Sequence, residues 1–118
     1  MRIGEAAAAA GATPRALRFY EQRGLLAPPA RTAAGQREYA PGDVARVRLI
    51  RELLAMGFTV EDLRECADRL HLLGARPRPR CAPAAPSGGI VGRRIAALDA
   101  EISRLTHLRD ALAEEASR

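Results

Sequence analysis

Between Thr13 and Tyr39 the chain reads TPRALRFYEQRGLLAPPARTAAGQREY, and the chemistry on offer there is anion recognition. Arg15 and Arg18 lie three residues apart, and Arg31 and Arg37 stand on either side of a glycine at position 35. A guanidinium fork bonds bidentately to phosphate oxygens or to guanine O6 and N7, so four such groups in 27 residues could track a nucleic-acid backbone. Gln36 adds an amide donor beside them. Tyr39 brings a ring that can pack and a hydroxyl that can reach a phosphate.

The elements that must carry these groups are signed locally. Thr13 is a good N-cap, Pro14 suits the first helical position because its missing N–H would be unpaired there, and Gly24 can end the helix in a left-handed conformation. Ala16, Leu17 and Tyr20 recur at helical spacing, which gives the helix one packing face and frees Arg15, Arg18 and Gln22 on its other sides. After it, Pro28 and Pro29 extend the chain, and Gly35 sits where a hairpin tip needs positive φ, with Arg31 and Arg37 on the two arms. A capped basic helix followed by a short basic hairpin is the layout of a DNA-reading helix with a wing.

The remainder of the chain is organised to hold this stretch. Residues 3–10, IGEAAAAA, predict a short Ala-rich helix, and Gly11-Ala12 a tight turn, so the first two helices form a helix-turn-helix. From Pro41 the apolar positions Val44, Val47, Ile50, Leu53 and Leu54 predict a helix ending at Gly57. Thr59 and Asp62 form a capping-box pair for a further helix over 59–73, with Leu63, Cys66, Ala67, Leu70 and Leu73 as its stripe. Phe58 is a core plug at the corner between them. Residues 74–89 hold four prolines and three glycines and read as a loop. From Ile90 one long helix is expected, with Val91, Ile95, Leu98, Ile102, Leu105 and Leu112 at alternating four and three spacings and Arg109 interrupting the seam. Such a rod is about 40 Å long, too long to bury its stripe on so small a domain.

Composition agrees. With 118 residues, a net charge of +5 and a pI near 10.5, the chain lies in the range of nucleic-acid binders. Residues 1–60 carry nine Arg against five acids and residues 61–118 ten against nine, so the basic surplus sits in the front half. No run approaches the roughly 20 apolar residues that span a bilayer, and no signal-peptide pattern opens the chain, so a cytoplasmic protein without membrane contact is expected. The sequence signals no Gly-rich phosphate loop, Ser/His/Asp set or paired-carboxylate pocket, which argues against an enzyme. An architectural or phage-type DNA-binding protein, or a coiled-coil adaptor using residues 90–116, are the rival readings.

The runs IGEAAAAAGATPRALRFYEQRGLL, GQREY and LLAMGFTVEDL, in that order over residues 2 to 73, resemble the winged-helix DNA-binding domain of the MerR family of transcription regulators. The fold implied is mainly α: a winged helix-turn-helix domain over 1–73 with two supporting helices, a Pro/Gly-rich loop over 74–89 as possible effector region, and a dimerisation helix over 90–118 that pairs as an antiparallel coiled coil. The resemblance implies that Thr13, Arg15, Arg18 and Tyr20 on the reading helix, and Arg31, Gln36, Arg37 and Tyr39 in the wing, contact DNA. It also implies a homodimer on a pseudo-palindromic site in double-stranded promoter DNA, which it distorts so that RNA polymerase can use both promoter elements. Gln36 departs from the family's usual aromatic after the wing glycine, and Ala40 from its usual capping hydroxyl.

Metal-sensing relatives place a thiolate near the start of the dimerisation helix, where Cys81 falls. One thiolate does not make up a soft-metal site of two to four ligands, so no resident metal or cofactor is expected, and a metal or redox signal at Cys81 is the alternative left open. Thiol sensing suits Cys81 better, because Arg76, Arg78 and Arg80 would lower its pKa. Cys66, on an apolar face, is expected to be inert.

Overall fold

The computed structural model describes residues 1–70 and 89–118. They belong to two compact units, one on each side of the intervening stretch along the chain. The expected loop, with Cys81 and the arginines around it, lies outside the described residues, as do His71 and Leu73.

The first unit runs α1 (Ile3–Ala10), α2 (Pro14–Gln22), β1 (Ala30–Arg31), β2 (Arg37–Glu38), α3 (Pro41–Ala55) and α4 (Val60–Glu65), then a 3-10 turn over Ala67–Arg69. Helix α1 packs against both α2 and α3. Its buried face is Ala6, Ala7 and Ala10, and these small side chains let three helices meet closely. Around them Leu17, Leu25, Leu26, Val47, Ile50, Leu63 and Leu70 form a core at most 2% exposed, with Phe58 closing the corner after Gly57. Burying a Leu or Ile side chain contributes about 1.5–3 kcal/mol, so this small cluster dominates the stability of the unit.

Three arginines of α3 bind the unit together, and the sequence reading left them as unassigned polar positions. Arg48 donates twice to the Ala9 carbonyl, at 3.2 and 2.7 Å, and Arg51 donates to the Ala10 carbonyl at 3.3 Å. Helix α1 has no basic residue in its own last turn, so cations from α3 satisfy its terminal carbonyls and its dipole. Arg46, half-buried, donates to the Leu25 carbonyl at 2.9 Å and to the Ala67 carbonyl. Burial lowers its pKa, but a guanidinium keeps its charge.

The bond to Ala67 corrects one expectation. The helix predicted over 59–73 stops at Glu65, and Cys66 leaves the helical region with φ −129° before the 3-10 turn begins. The Ala67 carbonyl, at this break, accepts from the Arg46 guanidinium. Leu63 and Leu70 stay buried on either side of the break.

The second unit is α5 (Ile90–Ala116), a single helix of 27 residues. Ile95, Leu98, Ile102, Leu105 and Leu112 of its stripe are exposed, and so is Leu108, which the sequence reading passed over. Among the described residues no helix is long and apolar enough to cross a membrane.

Candidate nucleic-acid interface

The reading helix is built as its sequence dictates. Thr13 Oγ1 accepts from the Ala16 N–H at 3.1 Å, Pro14 fills the first turn, and Gly24 at φ +76° follows the last turn. The cap uses the hydroxyl as acceptor and leaves its O–H able to donate. Arg15 and Arg18 are exposed, one helical turn apart, and Leu17 is fully buried between them. Arg23 lies 5.3 Å over the half-exposed Phe19 ring and 3.6 Å from Glu61, which steadies the far end of α2.

The wing is two residues per strand, with Ala30 opposite Glu38 and Arg31 opposite Arg37. Its tip is a three-residue loop of the turn-plus-bulge kind. The Gly35 N–H bonds the Thr32 carbonyl at 2.9 Å, the Thr32 N–H bonds the Gln36 carbonyl at 2.8 Å, and Gly35 takes φ +82°. Thr32 Oγ1 accepts from the Gln36 N–H at 3.2 Å, and Arg31 Nη1 donates to the Gly35 carbonyl at 2.9 Å. Arg31 and the Gln36 side chain are exposed. A short ribbon tied at its tip is stiff enough to hold a guanidinium at a fixed height.

Arg37 is partly buried, its Nε 3.5 Å from Glu21 Oε2 on α2. Both atoms, with the Tyr39 hydroxyl, are buried without a hydrogen-bond partner among the described residues. The ion pair ties the wing to the reading helix through Coulomb attraction without a formed hydrogen bond. At the wing base the Met1 ammonium donates to Glu38 Oε1 at 2.9 Å and to the Tyr39 carbonyl at 2.8 Å, while the Tyr39 N–H bonds the Met1 carbonyl at 2.7 Å. The ammonium holds the Glu38 carboxyl below its ordinary range. Sequence reading missed this strap, because nothing local to Met1 or Glu38 marks it.

Two of the expected contact residues are buried in the DNA-free chain. Tyr20 is 7% and Tyr39 is 2% exposed, so both rings belong to the core and position the surface from beneath. Burial, then the charge of Glu21, raises the Tyr39 pKa, so the hydroxyl stays protonated. The helical spacing had already put Tyr20 on the packing face with Leu17. Exposed polar side chains remain at Thr13, Arg15, Arg18, Arg31 and Gln36, with Arg37 at their edge.

This arrangement, a capped helix carrying two exposed arginines beside a tied basic ribbon, has counterparts among known proteins. The family profile described as MerR HTH family regulatory protein matches residues 1–70, and that described as MerR, DNA binding matches residues 44–114. The chain belongs to the MerR family. The HTH-type transcriptional regulator ZntR of Escherichia coli is 34% identical over 111 residues, covering 94% of this chain and 74% of that one. The regulator HmrR of Sinorhizobium medicae is 43% identical over 65 residues, 55% of this chain and 44% of its own length. Among solved structures, the transcription regulator PbrR691 from Ralstonia metallidurans in complex with lead(II) superposes with a TM-score of 0.69 at 29% identity, covering 97% of this chain and 83% of that one. The MerR match extends beyond residue 73, where the residue pattern alone was loose, along nearly the whole of α5.

Proposed function

We propose that this protein is a transcription regulator that binds a pseudo-palindromic site in promoter DNA as a homodimer and distorts the duplex to control RNA polymerase. The observation that carries the reading is the pairing of Arg15 and Arg18, exposed on α2, with Arg31 on a wing whose tip and base are both hydrogen-bonded. One copy of Thr13–Tyr39 would read each half-site, with α2 in the major groove and the wing on the adjacent backbone. The exposed stripe of α5 supplies the pairing surface. Bending would cost elastic energy that the extra phosphate contacts of the wing offset, so specificity arises partly from deformability. The protein acts by binding, without a chemical step of its own.

The effector is proposed to act at Cys81. Among the described residues there is no group of three or more His, Cys, Asp or Glu able to hold a metal ion. An oxidant would find a thiol there, and so would a soft metal ion such as the lead(II) found in complex with PbrR691.

The test is a salt titration of affinity on the cognate duplex. Neutralising about six phosphates per dimer gives a slope of log affinity against log salt near −5. Arg18→Ala should weaken binding about tenfold or more and flatten the slope by about one per lost phosphate contact, with an unchanged circular dichroism spectrum. A flat salt response, or unchanged affinity in Arg18→Ala, would remove α2 from the reading face.

A further inference from the structure

The seam of α5 carries more information than that two helices pair. Written as a heptad, Ile95, Ile102 and Arg109 occupy one set of core positions and Leu98, Leu105 and Leu112 the other. The five apolar members from Ile95 to Leu112 are more than 40% exposed, Val91 at the head of the stripe is partly buried, and Arg109 stands among them with its guanidinium bonded to its own neighbour Asp110 at 3.0 Å. The positions flanking this seam are Arg94, Glu101, Leu108 and Glu115 on one side and Gly92, Asp99, Thr106 and Ala113 on the other.

Resting on the homodimer reading above, we propose that Arg109, Arg94 and Glu115 impose one antiparallel register on the paired α5 helices, with the two-fold axis between Ser103 and Arg104. In this register Ile95 meets the partner's Leu112 and Ile102 meets the partner's Leu105, which gives four apolar layers about the axis. Arg109 meets the partner's Leu98, with the partner's Asp99 at nearly the same height to offset its charge. On the flank, Arg94 lies beside the partner's Glu115 at both ends, and Glu101 lies beside the partner's Leu108, which also covers that exposed leucine. Glu115 exchanges an exposed contact with Arg118 for this one, at little cost.

The alternatives carry like-charge contacts. Sliding the pair by one heptad in one direction sets Glu101 against the partner's Glu101 and Asp99 against the partner's Asp99. Sliding it the other way sets Glu101 against the partner's Glu115 at both ends. A parallel pair stacks Arg109 on the partner's Arg109 in the core, whereas the proposed register separates the two by about 16 Å along the axis. A single charged core position with matched flanks is the known device for fixing register and excluding wrong partners. The occupant of the seam is therefore a second copy of this chain, and helices with no flanking acid to match Arg94 pair less well.

The test uses spin labels at Ala97→Cys and, separately, Ala111→Cys, both exposed, in full-length protein whose Cys66 and Cys81 are changed to Ser. The proposed axis lies almost midway between the two sites. It sets the axial label separation at about 20 Å for residue 97 and about 22 Å for residue 111, so the two measured distances should agree. A one-heptad slip makes them differ by about 20 Å in axial separation, and a parallel pair leaves only the lateral distance at both sites. Either result in a sedimenting dimer overturns the register and leaves the homodimer standing. A chain that sediments as a monomer overturns the homodimer reading and this inference with it. Arg109→Leu should tighten the dimer and broaden both distance distributions as other registers become populated. Distributions as narrow as those of the parent would deny Arg109 its role.

Discussion

Arg46 offers the sharpest test of how the reading unit is held. Its guanidinium joins the Leu25 carbonyl, just after α2, to the Ala67 carbonyl at the break after α4, so one side chain spans three segments. Arg46→Ala leaves two carbonyls without these donors. A hydrogen bond to a charged group contributes roughly 1.5–3 kcal/mol, and two would approach 6 if fully buried. The site is half-buried and water recovers part of the loss, so about 2–4 kcal/mol is the working value. For a domain of this size that corresponds to a fall in Tm on the order of 10–20 °C. The assay is urea unfolding at one fixed protein concentration, because dimerisation links stability to concentration. Arg46→Lys should recover about half, since an ammonium is a point charge without the fork that reaches both carbonyls. A loss below about 0.5 kcal/mol in Arg46→Ala would refute the claim that this residue ties the unit together.

Two further outcomes follow from the same contacts. Burial pushes the Cys66 thiol above its ordinary range, so alkylation at neutral pH should be slower than for an unstructured cysteine, read by peptide mass mapping. Because the folded value is the higher one, the stability it contributes is complete below the unfolded pKa and declines as pH rises through the folded one; rapid labelling at pH 7 would contradict this. Replacing Leu98 and Ile102 with Asp places four charges in the centre of the paired seam, and should yield monomers with intact helix content and no specific DNA binding. A variant that still sediments as a dimer would move the interface elsewhere.

What the sequence revealed was whatever is decided within one turn of chain. Thr13, Pro14 and Gly24 bounded α2, Gly35 marked the wing tip, and the Thr59–Asp62 pair started α4, each through contacts spanning four residues or fewer. Ala40 shows the same logic with half the parts, since its N–H donates to Asp43 Oδ2 at 2.8 Å and no side chain returns the bond. The bonds that escaped notice all cross the chain. Arg48 and Arg51 reach carbonyls about 40 residues away, Met1 reaches the wing base, and Arg46 engages a carbonyl that periodicity had assigned to a helix. Periodicity cannot show which exposed-looking cation has a carbonyl to serve. Arg15, Arg18 and Arg31 stand exposed, as the helix and hairpin spacing implied, whereas Tyr20 and Tyr39 are buried; the helical spacing had placed Tyr20 on the packing face, and the Tyr39 ring was one that could pack. Leu108 lies off the strict heptad that Arg109 interrupts, although the exposed face of α5 continues through it.

Promoter regulation by a homodimer is tested most directly by a hydroxyl-radical footprint of the purified protein on the DNA upstream of its own gene, run with reduced and with oxidised protein. Two protected half-sites related by a two-fold axis between the promoter elements are expected, with a hypersensitive centre whose intensity changes with the state of Cys81. Protection without two-fold symmetry, or protected sites scattered away from promoters, would contradict a homodimeric promoter regulator and favour an architectural role for the same fold.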